Sequence, residues 1–234
     1  MIKISVDKDT NRLRVLLKGN PNHDELGRFS DGDGGGRLNT PTHRGWSSEE
    51  NHNKVSSVMN GAAEAASSSL GSKSSFTGRL YQVEGATFPL GTHPNGDIDM
   101  SKQTVQDALR LSEMNEQSWN SLPQGEKDQL FTTWGGMVHE GVHLSSPYVG
   151  LSGVDEGSTE LVSQSIAHRT FQFTFGFDPG SVTETRSTFK IPTQTAARAL
   201  GYRNPRDVPE SEAIAFHKLP IAERTSRMLS AQGR

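Results

Sequence analysis

Hydrophobic and polar positions divide the chain into three stretches of different character. Residues 2–18 alternate apolar and polar positions in two short runs, Ile2-Lys3-Ile4-Ser5-Val6 and Leu13-Arg14-Val15-Leu16-Leu17, around a polar DKDTNR turn. This period of two predicts a β-hairpin over 1–19. From 20 to 75 the apolar residues thin out among Gly, Ser, Asn, Asp and His, as in SDGDGGGR at 30–37 and AASSSLGSKSS at 65–75. Such a composition cannot repay the cost of ordering the backbone, so 20–75 reads as a flexible Gly/Ser-rich arm or linker. A short helix around 55–67 fits Val55, Val58 and Met59 followed by alanines.

Beyond Ser75 the pattern changes again. Leu80-Tyr81-Gln82-Val83-Glu84 reads as a strand and Asp97-Ile98-Asp99-Met100 as a second, shorter one. Ser101 is placed to cap a helix over 102–117, with Val105, Ala108, Leu109 and Leu111 on its apolar side. Pro123 opens a helix over 123–145, where Leu130, Phe131, Trp134, Met137, Val138 and Val142 recur at three- and four-residue steps. Further helices are expected over 154–170, 192–201 and 209–229. A few strands followed by helices predict an α+β fold: a hairpin and arm, then a mainly helical domain over 76–234 with a short sheet.

Composition narrows the function. Only 32% of the 234 residues are hydrophobic, which suits a core of roughly 150 residues with an appendage. The net charge of -3 offers no basic excess with which to grip nucleic acid or anionic lipid. No apolar run approaches the ~20 residues that span a bilayer. Lys3, Asp7, Lys8 and Asp9 stand where a signal peptide would need its apolar segment. The expectation is a soluble protein without a cleavable export signal. Cysteine is absent, so a transition-metal site must be built from His and carboxylate.

The chemistry concentrates at Val138-His139-Glu140-Gly141-Val142-His143. On a helix, positions i and i+4 share a face, so His139 and His143 can send both imidazoles to one metal ion. Glu140 lies about 100° further around the axis, where it reaches a water on the metal without being a ligand. With eight histidines in the chain, a chance HExxH arises in about 2% of shuffled sequences. Two features add weight: the helix is strongly apolar, and Asp155-Glu156-Gly157-Ser158-Thr159-Glu160 opens the next helix twelve residues after His143.

HExxH followed by an E-G-x-x-E helix resembles the zincin metallopeptidases of the gluzincin type. The resemblance implies Zn2+ held by His139, His143 and Glu156, with Asp155 as the rival ligand. It implies Glu160 hydrogen-bonded to a ligand histidine, and Glu140 as general base in hydrolysis of a protein or peptide substrate. Tyr148, His168 and Tyr202 are candidates to stabilise the oxyanion. An edge strand drawn from 80–84 or 85–100 would bind the substrate backbone; His93, in GTHPNGD, reads as a turn residue. The gap to Glu156 is shorter than in many gluzincins, so it demands a tight loop between two antiparallel helices.

A second string, Asn20-Pro21-Asn22-His23-Asp24-Glu25-Leu26-Gly27-Arg28-Phe29-Ser30, is similar to a short element of tailed-phage head proteins and prophage products. That likeness implies a phage or prophage origin, in a virion or host cytoplasm, with 20–75 docking on a capsid or portal protein. The alternatives to a virion-associated peptidase are a structural head protein that keeps the fold without turnover, and a toxin-like effector protease.

Overall fold

The computed structural model describes residues 2–7, 12–17, 43–44, 46, 48–84, 86, 89–93, 95–146, 153–184 and 189–232. The phage-like string at 20–30 and Tyr148 therefore lie outside the described residues. Strands β1 (Ile2–Asp7) and β2 (Arg12–Leu17) pair antiparallel, Ile2 opposite Leu17 and Asp7 opposite Arg12.

A second sheet has the order β3-β4-β6-β5, built from His43–Arg44, Leu80–Val83, Ile98–Ser101 and Leu90–Thr92. Here β4 and β6 run parallel, while β5 pairs antiparallel to β6 and forms an edge. Leu80, Val83, Leu90, Ile98 and Met100 are buried on this sheet. Strand β5 has only three residues, between Pro89 and His93, and the alternation in the sequence singles out only the runs around 80–84 and 97–100.

Ser101 closes β6 and caps α2 (Lys102–Ser112), its side chain accepting from the Thr104 amide. The expected helix over 102–117 ends early, because Asn115 builds a capping box that starts α3 (Glu116–Ser121). Pro123 then starts α4 (Gln124–Ser145), which is followed by α5 (Gly153–Phe175) and α6 (Lys190–Ala199). The stretch expected as one helix over 209–229 is two, α7 (Glu210–His217) and α8 (Ile221–Gln232), parted at Pro220. Mostly helical with a small sheet, the chain has an α+β fold. No helix among the described residues is long and apolar enough to cross a membrane.

The reading of 20–75 as an arm needs correction over its second half. Residues Glu49–Leu70 form one helix, α1, capped by the Ser48 hydroxyl and closed by Gly71 in the left-handed region (φ 60°). Its face of Val55, Val58, Met59, Ala62, Ala63, Ala66 and Leu70 is part of the hydrophobic core. Alanines bring α1 close to α4: a Cβ built on Gly141 would lie 3.0 Å from the Ala62 carbonyl oxygen and 3.1 Å from Ala66 Cβ. The small residues are a packing surface. A composition rich in Ala, Ser and Gly looks the same whether it serves close helix contact or a linker.

Helices α4 and α5 run antiparallel, since the Trp134 indole donates to the Ala167 carbonyl while His143, further along α4, lies beside Asp155 and Glu156. Trp119, Trp134, Phe171, Phe175 and Phe177 interlock at the end of this pair remote from the histidines. That aromatic cluster fixes the register in which the polar ends of α4 and α5 meet.

Candidate metal centre

Helix α4 delivers His139 and His143 from one face, and the first two turns of α5 deliver Asp155, Glu156 and Glu160 against them. His139 Nε2 lies 3.1 Å from Glu156 Oε2, His143 Nε2 lies 3.3 Å from the same oxygen, and the two Nε2 atoms are 3.1 Å apart. All three residues are buried, and their facing atoms form a group that could hold a metal ion. The spacing can be checked against coordination chemistry. Tetrahedral bonds of ~2.1 Å put neighbouring donor atoms about 3.4 Å apart, close to the separations observed. Two imidazoles and one carboxylate also match the protein donor set of some catalytic zinc sites.

Each imidazole turns its other nitrogen to a further carboxylate. Glu160 Oε2 lies 2.8 Å from His139 Nδ1, and Asp155 Oδ2 lies 3.7 Å from His143 Nδ1. Asp155 thus backs a histidine instead of joining the three converging donors. Burial works against charge on His139, but Glu156 and Glu160 outweigh it and hold its pKa up at about 10. His143 is raised too, against burial, chiefly by the Glu156 charge. Glu156 also loses solvation by burial, yet the two imidazoles hold it below the usual carboxylate range. The pocket favours a positive charge, as a proton or as a metal cation.

Glu140 stands outside the donor group. Its carboxylate accepts a 2.5 Å hydrogen bond from the Thr92 hydroxyl, at the end of edge strand β5. Phe189, which precedes α6, stacks on the His139 ring with planes 6° apart and centroids at 5.1 Å. Neither contact has a local signal in the sequence, because both join residues far apart in the chain.

The remaining candidates sit elsewhere or lie outside the described residues. His168 is twelve residues beyond Glu156 on α5, about 18 Å along the axis, and its Nε2 contacts the Gly180 carbonyl. Tyr202 donates to Glu212 on α7. Neither residue belongs to the group formed by His139, His143 and Glu156. Tyr148 is among the residues that are not described. His93 pairs with Asp99 at 3.0 Å across a turn closed by hydrogen bonds between residues 93 and 97.

Behind α5 lies a further polar set. Arg224, from α8, donates from Nη1 to Asp155 Oδ1 at 2.8 Å and to the Ser158 hydroxyl, which also meets His217 Nδ1 at 3.1 Å. Burial and then the Arg224 charge push the His217 pKa down to about 3. The unfolded chain takes up a proton near pH 6.5, so the fold loses about 1.4 kcal/mol per pH unit as pH falls from about 6.5 toward 3. His217→Gln is expected to flatten this limb. Urea unfolding of both proteins between about pH 6.5 and 4.5 measures the difference in slope.

No family model, curated protein or solved structure matches the chain.

Proposed function

We propose that the protein is a zinc-dependent metallopeptidase, with His139, His143 and Glu156 as metal ligands and Glu140 as general base. The observation that carries this reading is the division of labour on α4. Two histidines converge with Glu156, while the intervening Glu140 is held away from that group by Thr92. A site built only to bind metal has no need for a fourth buried carboxylate kept out of the ligand set. When bound, the metal acidifies a water molecule and polarises the scissile carbonyl.

Within this reading the protein's own groups do the following. Glu140 takes the proton of the attacking water and passes it to the departing nitrogen, so that the amide bond breaks as the new carbon–oxygen bond forms. Glu160 fixes the ring of His139 through Nδ1. Phe189 covers the face of the same ring and keeps bulk water off it. Edge strand β5 ends at Thr92 beside Glu140 and, among the described residues, pairs with β6 alone. An extended peptide that adds to its outer edge would pass the general base, which favours a peptide substrate over a small hydrolysable molecule.

The test uses the full chain. Elemental analysis is expected to find one zinc per chain, and the protein to cleave an unfolded protein mixture. A chelator abolishes both, and zinc restores both. Failure to bind zinc after reconstitution overturns the metal site; stoichiometric zinc without cleavage overturns the peptidase reading alone.

A further inference from the structure

The metal-facing histidines are served unequally. For His139 the Nδ1 partner, Glu160, arrives from the same helix as ligand Glu156 and lies at hydrogen-bond distance. For His143 the facing carboxylate is Asp155, at an ion-pair distance of 3.7 Å and itself inaccessible to solvent. An imidazole that offers Nε2 to a metal carries its proton on Nδ1 and needs an acceptor there. Asp155 can be that acceptor only if something holds its other oxygen, and Arg224 Nη1 does so at 2.8 Å.

Arg224 is an odd residue to keep for stability. It is 0% exposed, and its Nε and Nη2 have no hydrogen-bond partner among the described residues. Burying a guanidinium with unpaired donors is costly, and a well-packed apolar side chain at such a place is commonly neutral or better. The arrangement makes sense if the charge has work to do through Asp155.

We propose that Arg224 is a positioning residue of the metal centre: from the C-terminal helix it clamps Asp155 Oδ1, which leaves Oδ2 directed at His143 Nδ1 and fixes that ligand's tautomer and ring orientation. The proposal rests on the metal reading above and extends it to a residue 69 positions away from its partner. It makes α8, remote in sequence from the HExxH motif, part of the metal site.

The experiment measures zinc affinity by competition with a chromophoric chelator, and the visible spectrum of the Co2+-substituted protein. The proteins are wild type, Asp155→Asn, Arg224→Met, Arg224→Lys and Ser158→Ala, with helicity followed by circular dichroism. With Oδ1 still held by Arg224, an asparagine turns its NH2 toward the imidazole N–H, so donor faces donor. Asp155→Asn and Arg224→Met are each expected to weaken zinc binding by about 10–100-fold and to alter the cobalt spectrum. Arg224→Lys recovers part of the loss. Ser158→Ala removes the other Arg224 contact and lowers the melting temperature, but leaves zinc affinity within about twofold. Folded Asp155→Asn with wild-type zinc affinity and cobalt spectrum overturns the proposal, and this variant decides if Arg224→Met does not fold. A wild-type chain that binds no zinc overturns the metal reading itself, an outcome separate from unchanged variants.

Discussion

Glu140→Gln is expected to lower peptide hydrolysis by about 10²–10⁴-fold while leaving zinc in place. That corresponds to about 3–5 kcal/mol of transition-state stabilisation, since each tenfold is about 1.4 kcal/mol. The prediction separates two roles that lie one residue apart. The glutamine carbonyl oxygen can still accept from Thr92, as Glu140 does now at 2.5 Å, so the side chain keeps its place at the end of β5. Its volume is also unchanged, which suits a buried position. What is lost is basicity: a carboxamide does not take a proton from water near neutral pH. Metal content should not fall, because the converging donors are His139, His143 and Glu156. Elemental analysis and single-turnover cleavage on the same preparation check both halves. Retention of near-wild-type cleavage would remove Glu140 from the mechanism, and loss of zinc would show that it supports the ligands instead.

The features that make this prediction possible differ in how openly the sequence displays them. His139, His143 and Glu140 were legible because a helix converts fixed spacing into a shared face. Glu156 and Glu160, one turn apart at the start of α5, are singled out only by the resemblance of their E-G-x-x-E segment to the gluzincin type. Contacts between distant segments left no such trace. Thr92 meets Glu140 across 48 positions, and Arg224 meets Asp155 across 69. A lone threonine in a turn and a lone arginine in a polar helix look like solvated residues until the fold brings them in.

The fold shows the same division. Helices with long apolar residues at three- and four-residue steps, such as α4, announced themselves. Helix α1 showed only in part, as a short helix around 55–67 within an expected arm, because half of the face it buries is alanine. Its packing gain comes from close approach to Gly141, a property of two helices together that no composition of one segment displays. An apolar period also runs past breaks: Asn115 caps the start of α3 and Pro220 precedes α8, where the period alone would continue one helix. Capping and proline chemistry override periodicity where the two disagree.

Gly157→Ala is expected to destabilise the fold by about 2–3 kcal/mol, against the usual preference of a helix interior for alanine. Gly157 follows Glu156 on α5 and faces the start of α6. A Cβ placed there would lie 2.6 Å from the Pro192 carbonyl oxygen, 2.7 Å from its carbon and 2.9 Å from the Pro192 Cβ. Two of these are backbone atoms at the start of a helix, so no side-chain rotation relieves the overlap. Alanine gains about 1 kcal/mol in propensity, whereas overpacking against a rigid backbone costs about 3–4 kcal/mol, at and above the top of the usual range; the overlap wins. A midpoint drop of about 4–12 °C follows for a domain of this size. Gly125 supplies the control. It lies in the exposed first turn of α4, with nothing within 4 Å of its built Cβ. Gly125→Ala should therefore stabilise, by up to about 1 kcal/mol. The same substitution is thus expected to carry opposite signs at two helical positions. The consequence at Gly157 reaches the site as well, because pushing α6 off α5 moves Phe189 away from the His139 ring it now stacks upon. Zinc affinity of Gly157→Ala, measured well below its melting temperature, should fall with stability, while that of Gly125→Ala should not change. A Gly157→Ala protein as stable as wild type would mean that α6 can yield at Pro192. The glycine of the E-G-x-x-E segment would then have no packing reason to be there.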